Sequence, residues 1–166
     1  MSTQVIIDVI LLGMGATLFM DLWAILAKTV FGMAPSNFCL VGRWLLHMPA
    51  GRFRHANIAA TESKAGECAA GWIFHYLIGI AYAALLLVFT GTGWLAQPTL
   101  LPALLLGIGT IVAPFFLMQP AFGLGIAASK APNALQARLK SLMAHTVFGL
   151  GLYATGLLLV QAERVA

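Results

Sequence analysis

Four long apolar runs limit what this chain can fold into more than any motif does. Residues 5–26, 69–88, 99–118 and 142–160 each come close to the ~20 residues that carry a helix across about 30 Å of hydrocarbon. Inside lipid the backbone has no water to bond, so only helices and closed barrels can span. Barrel strands alternate apolar and polar side chains, whereas these runs are continuous and rich in Leu, Ala and Gly. A composition of 61% hydrophobic and 8% charged residues, with a mean hydropathy of +0.94, lies far from that of a soluble domain. The reading is all-α and polytopic. It has four transmembrane helices in one antiparallel bundle over residues 1–166, without room for a second soluble domain.

The first run does not read as a signal peptide. Residues 1–4 carry no basic side chain, Asp8 and Asp21 interrupt the run, and no small-residue cleavage site follows. It is expected to remain as a span. Orientation comes from the basic residues, which accumulate on cytoplasmic connections. Lys28, Arg43, Arg52, Arg54 and Lys64 belong to the first connection, Lys130, Arg138 and Lys140 to the third, and residues 91–98 hold none. Both basic connections are therefore expected in the cytoplasm and both termini in the periplasm or outside, with Arg164 alone opposing. The net charge of +4 then reflects topology and attraction to anionic headgroups, about 1 kcal/mol per basic residue near the surface, and not nucleic-acid binding. Cys39 and Cys68 fall on the reducing side without CxxC spacing and are expected as free thiols. The sharper alternative makes Cys68 a ligand beside His75, one heptad further along.

The first connection, residues 29–68, is too long for a simple turn. Ser36 or Asn37 can cap a helix in which Phe38, Leu40, Val41, Trp44, Leu45 and Met48 form an apolar side, with Arg43 and His47 opposite. Pro49 and Gly51 end it. This predicts an interfacial or re-entrant cytoplasmic helix. Arg43, His47, Arg52, Arg54 and His55 read as a mouth for an anionic headgroup or ligand, against the plainer reading of solvated topology charges.

Polar residues inside the spans carry the functional expectation, because an intramembrane charge is costly and usually used. At about 1.5 Å per residue, Asp21 lies about 10 Å in from Lys28, His75 about 9 Å from Ala69 and His145 about 8 Å from Lys140. Gln119 closes the third span near the same level. These four residues form the expected ligand or proton site, while Asp8 reads as interfacial on the opposite side. Gly13, Thr17 and Asp21 recur every fourth residue; His75, Gly79, Tyr82 and Ala83 share a face, as do His145, Gly149, Leu152 or Tyr153, and Gly156. Small residues let helices approach in lipid, so these are the expected packed faces. A shared His-x-x-x-Gly in the second and fourth spans hints at a parallel repeat of two helix pairs.

Two imidazoles and a carboxylate at one depth admit several chemistries. They could bind haem, hold a transition metal through Asp21, His75 and His145, relay protons, or simply hydrogen-bond between helices. Pro114 and Pro120 predict a kink or break in the third span. Gly123-Leu124-Gly125-Ile126-Ala127-Ala128 has a GxGxxA pattern, but no strand precedes it, so it reads as continued helix or a cytoplasmic mouth and not as a dinucleotide site.

Met20-Asp21-Leu22-Trp23, the run Asn37 to Trp44, His47-Met48, Gly51 with Phe53 and His55, Gly66-Glu67, Gly71-Trp72 with His75-Tyr76, Pro98-Thr99, Met118-Gln119-Pro120, and Arg138 with Ser141-Leu142 and His145 resemble the bacterial membrane family catalogued as domain of unknown function 2938. The likeness covers nearly the whole chain. It implies a four-span bacterial inner-membrane protein and brings no activity or catalytic residues. The functional expectation is a membrane protein that binds or moves a small molecule, ion or proton. The alternatives are a metal- or haem-bearing enzyme or electron carrier, and an accessory subunit of a membrane complex; homo-oligomerisation is compatible with each.

Overall fold

The computed structural model describes residues 2–165, and all regular structure among them is helical. Four helices are long and apolar enough to cross a membrane: Thr3–Phe31, Glu67–Thr90, Leu100–Ala121 and Ala134–Ala162. The chain is a multi-pass membrane protein on that basis. Each helix is somewhat longer than its apolar run at one end or both.

Helix α1 (Thr3–Phe31) starts at Ser2, whose hydroxyl accepts from the Val5 amide, and stops at Gly32, left-handed at φ 65°. Helix α2 (Phe38–His47) starts at Asn37, whose side chain accepts from the Cys39 amide. A short 3-10 turn at Met48–Ala50 and left-handed Gly51 follow, as the proline and glycine there predict. Helix α3 is Glu67–Thr90. The fourth span belongs to α6 (Ala134–Val165). Asn133 accepts from the Gln136 amide and makes the amphipathic lead-in continuous with the apolar run.

The third span breaks, as its prolines require. Helix α4 (Leu100–Gly109) ends at Thr110, a π-helical turn occupies Pro114–Met118, and α5 is the single turn Gln119–Ala121. Pro114 brings no amide hydrogen to the helical ladder, and the Thr110 hydroxyl bonds the Gly107 carbonyl at 2.6 Å. The glycine-rich segment after it does not continue the helix. Gly123 and Gly125 have φ of 86° and 73°, and Ala127 and Ala128 also have positive φ. Gly123 lies so close to the Ala56 carbonyl that a Cβ would overlap it, so the chain must turn there.

The residues divide into two compact units. The first comprises Met1–Pro35, Tyr76–Thr110 and Ala144–Ala166; the second comprises Ser36–His75 and Ile111–Met143. In the first, Leu12, Ala16, Ala83, Leu86, Ala103 and Leu152 form a fully buried core. The small-residue stripes are the contact faces. Gly13 meets the backbone of Gly79 and Ile80, Thr17 meets Gly79, Gly107 meets Gly149, and Gly151 meets Ala16. Both His-x-x-x-Gly motifs thus place their glycine at a helix contact, one on α1 and one on α4. Asp8, read from sequence as interfacial, is buried and accepts from Gln4 Nε2 at 2.8 Å.

In the second unit, Val41, Trp44, Ile58, Ala121 and Phe122 form the core. The Trp44 indole donates to the Phe53 carbonyl at 2.9 Å. His55 and Ile58 donate their amides to Ala121 and Phe122, at 2.8 and 3.2 Å. Gly42 and Gly71 allow α2 to lie against the start of α3, since a Cβ on either would overlap a carbonyl of the other helix. Cys39 and Cys68 are joined in a disulfide there, which corrects the expectation of free thiols. Their separation of 29 residues has no signature in sequence; the glycine contact is what brings the two first turns together. A second difference concerns α2, whose His47 is 2% exposed and whose Arg43 turns inward, so neither forms a solvated face.

Gly13→Leu is expected to cost about 3 kcal/mol or to prevent folding, because backbone and not a movable side chain occupies the space. Gly32→Ala, with open space around it, should cost only about 1 kcal/mol of left-handed strain. Denaturation of the two variants in mixed micelles compares them.

Candidate functional site

Two of the polar residues expected in the spans, Asp21 and His145, meet Tyr76 and Thr110, neither of which was among the expected site residues. On α1, Thr17 returns its hydroxyl to the Gly13 carbonyl at 2.7 Å. One turn on, Asp21 Oδ2 accepts from the Tyr76 hydroxyl at 3.0 Å. Tyr76 stands beside His75 in sequence, and this half-buried tyrosine gives its hydroxyl hydrogen to a carboxylate, the polar partner that a tyrosine in apolar surroundings needs. His145 Nδ1 lies 2.7 Å from the Thr110 hydroxyl. That hydroxyl has one hydrogen, and the Gly107 carbonyl at 2.6 Å can only accept it. Nδ1 of His145 is therefore the donor, which leaves Nε2 as the acceptor in the neutral ring. Thr110 was legible as the one hydroxyl in the middle of the third apolar run.

Asp21 and His145 belong to the first unit, His75 and Gln119 to the second. His75 stacks on Phe38 with ring centroids 4.0 Å apart, and Trp72 meets it edge-on at 5.7 Å. Gln119 follows the π-helical turn, a feature frequent at functional sites. It is 6% exposed, its Nε2 reaches Ser141 Oγ at 3.4 Å, and its Oε1 has no hydrogen-bond partner among the described residues.

The charged segment is an ordered element of the second unit. Arg43 binds Glu67 through two nitrogens, at 2.7 and 2.9 Å. Its remaining nitrogen caps the carbonyls of Ile58, Ala59 and Thr61 at 3.3, 3.1 and 2.9 Å. The fork geometry of a guanidinium suits this task and an ammonium does not. Glu67, the residue that fixes Arg43, stands in the sequence only among the residues of the family resemblance, and its pairing with Arg43 has no local signature. His47 Nε2 donates to the Glu62 carbonyl at 3.0 Å. His55 stands 5.3 Å from it, ring to ring. The Thr61 hydroxyl gives its hydrogen to the Asn57 carbonyl at 3.0 Å, so at 3.2 Å it accepts from His55 Nδ1. His55 Nε2 is then a buried acceptor without a hydrogen-bond partner among the described residues. Arg52 and Arg54 are exposed. Among the described residues no three His, Cys, Asp or Glu side chains gather to hold a metal.

Partial burial, and after it the nearby charges of His47 and Arg52, hold His55 below its ordinary 6.5, while its contact with the Arg52 carbonyl opposes them. A depressed imidazole leaves the unfolded chain binding more protons than the folded one, so stability rises with pH across the window. The stability is complete above about 6.5 and is lost as pH falls below it. A thermal midpoint that drops from pH 7.5 to pH 5.5, with a smaller drop in His55→Asn, is the expected result. Arg43→Lys should lower the midpoint nearly as much as Arg43→Ala, since one ammonium cannot serve Glu67 and three carbonyls together. Equal stability of Arg43→Lys and the parent chain in the same melting assay would contradict this assignment.

No curated protein and no solved structure matches the chain. A family's sequence model matches residues 10–159, under the description "Protein of unknown function (DUF2938)". The match covers most of the molecule, and the chain belongs to that family.

Proposed function

We propose that this protein binds or moves a small solute, ion or proton by means of polar groups on its spans: Asp21 and His145 in the first unit, and His75 and the buried Gln119 in the second. The four spans are read as an antiparallel bundle in a bacterial inner membrane, with α2 as its interfacial helix. The observation that carries the reading is Gln119 Oε1, an acceptor buried in an apolar span with no donor among the described residues. Such a group costs about 1–3 kcal/mol if left unmet, and each one in a folded protein calls for a reason. His55 Nε2 is a second unmet acceptor in the same unit. Its backbone amide is tied to Ala121, two residues past Gln119, at 2.8 Å. Two acceptors of this kind suit a solute that brings N–H or O–H donors, or a cation. Arg52 and Arg54, exposed on the connection, suit the phosphate of an anionic lipid or the acidic part of a ligand.

Native mass spectrometry of gently purified full-length protein tests this reading. The parent chain is expected to retain a small adduct that Gln119→Leu loses. Gln119→Leu should fold as well as the parent or up to about 1 kcal/mol better, because it removes an unmet polar group. An adduct-free parent, together with unchanged cellular phenotypes for Asp21→Asn, His75→Ala and Gln119→Leu, would reject it. An absorption spectrum of the same sample addresses the electron-carrier alternative, for which a Soret band lost in His145→Ala is the signature.

A further inference from the structure

We propose that Cys39 and Cys68 are a reversible redox pair that exchanges electrons with a dithiol, and not a permanent staple. Each sulfur sits on the second residue of a helix, Cys39 on α2 and Cys68 on α3. The first turn of a helix presents unpaired amides and the positive end of its dipole, which favour a thiolate and so stabilise the reduced form. Glu67, the carboxylate next to Cys68, works against that effect, but Arg43 neutralises it through two hydrogen bonds. Access is unequal. Cys68 is exposed and Cys39 is half-buried, so an incoming sulfur reaches Cys68 first.

The bridge is also redundant for holding α2 to α3. Arg43 joins α2 to Glu67, Gly42 and Gly71 interlock the backbones, and Phe38 stacks on Trp72 and His75 at 4.8 and 4.0 Å. These contacts persist in the dithiol state. The basic residues of the first connection give a further reason. They place it in the cytoplasm by charge, where lasting structural disulfides are rare and cycling ones occur.

The exchange is balanced. A thiolate of the dithiol attacks Cys68 Sγ, the bond to Cys39 Sγ breaks, and Cys39 leaves as a thiolate that takes a proton. The second thiol of the reductant, losing its proton, attacks its own sulfur in the mixed disulfide and releases Cys68. Two electrons and two protons pass to the protein, and the reductant leaves as a disulfide.

The test uses full-length protein in nanodiscs, with dithiothreitol or reduced thioredoxin as reductant and gel-shift alkylation to count thiols. Two thiols are expected to appear while tryptophan fluorescence and the thermal midpoint stay folded-like. Reaction with dithiothreitol alone points to small thiols, and reaction with micromolar thioredoxin to a protein dithiol. In the reduced parent chain, brief maleimide treatment should label Cys68 before Cys39. Cys39→Ser should form a mixed disulfide with Ellman's reagent several-fold faster than Cys68→Ser does. A bridge that yields to both reductants only after denaturation, a fold that collapses on reduction, or a Cys39 that reacts first would each overturn the proposal.

Discussion

Helices in lipid cannot associate by the hydrophobic effect, because the solvent is as apolar as their side chains, and that constraint governs how this molecule is built. Association must come from close packing and from hydrogen bonds between helices. The close packing rests on glycine. Gly13 against Gly79 and Ile80, Gly107 against Gly149, and Gly42 against Gly71 bring backbones to distances that no side chain permits. The hydrogen bonds lie on the same faces: Tyr76 to Asp21 follows Gly13 and Thr17 along α1, and Thr110 to His145 follows Gly107 and Gly149. Packing and polarity therefore share one stripe on each helix, while Ile25, Val88 and Leu101, each more than half exposed, face outward.

The long first connection solves a different problem. Its backbone is mostly irregular between residues 51 and 66, so its carbonyls need donors from elsewhere. Arg43 serves three of them at once, His47 serves a fourth, and the Trp44 indole a fifth. Three side chains of one short helix, α2, thereby organise the loop that follows it. The hydrophobic contacts of Val41 and Trp44 with Ile58 and Phe122 complete the unit. A charge that looks available for a ligand in the sequence is, in Arg43, an internal strut. Arg52 and Arg54 have no such duty among the described contacts.

Hydropathy made the four spans legible, and the i, i+4 recurrence of Gly13, Thr17 and Asp21 made their contact faces legible. The cap at Asn37, the stop at Gly51 and the break at Pro114 were also readable, because each follows from local backbone chemistry. What could not be read is everything that depends on two distant segments meeting. The Arg43 to Glu67 pair spans 24 residues, and the Thr110 to His145 contact spans 35. The Cys39–Cys68 bridge has no spacing rule to announce it. Of the two expectations for the GxGxxA segment, a continued helix is the one the backbone excludes, with positive φ at Gly123 and Gly125. Glycine is compatible with a transmembrane helix, and the close approach of the Ala56 carbonyl to Gly123 is a long-range contact that the sequence does not announce.

Some of the basic charges are internally paired. Arg43 is bound to Glu67 and Lys64 lies 3.4 Å from Glu62, so neither acts as a lone cation near the membrane surface. Setting both aside leaves Lys28, Arg52 and Arg54 in the first connection and Lys130, Arg138 and Lys140 in the third, against none in residues 91–98. Acidic residues weigh little in setting topology, so pairing with Glu62 or Glu67 does not reverse the bias in any case. The disulfide and the charge distribution then constrain one another. If the basic connections face a reducing compartment, Cys39 and Cys68 spend most of their time as thiols held side by side by Gly42, Gly71 and Arg43. A bridge that forms and breaks without moving either helix is the arrangement consistent with both the charges and the bond.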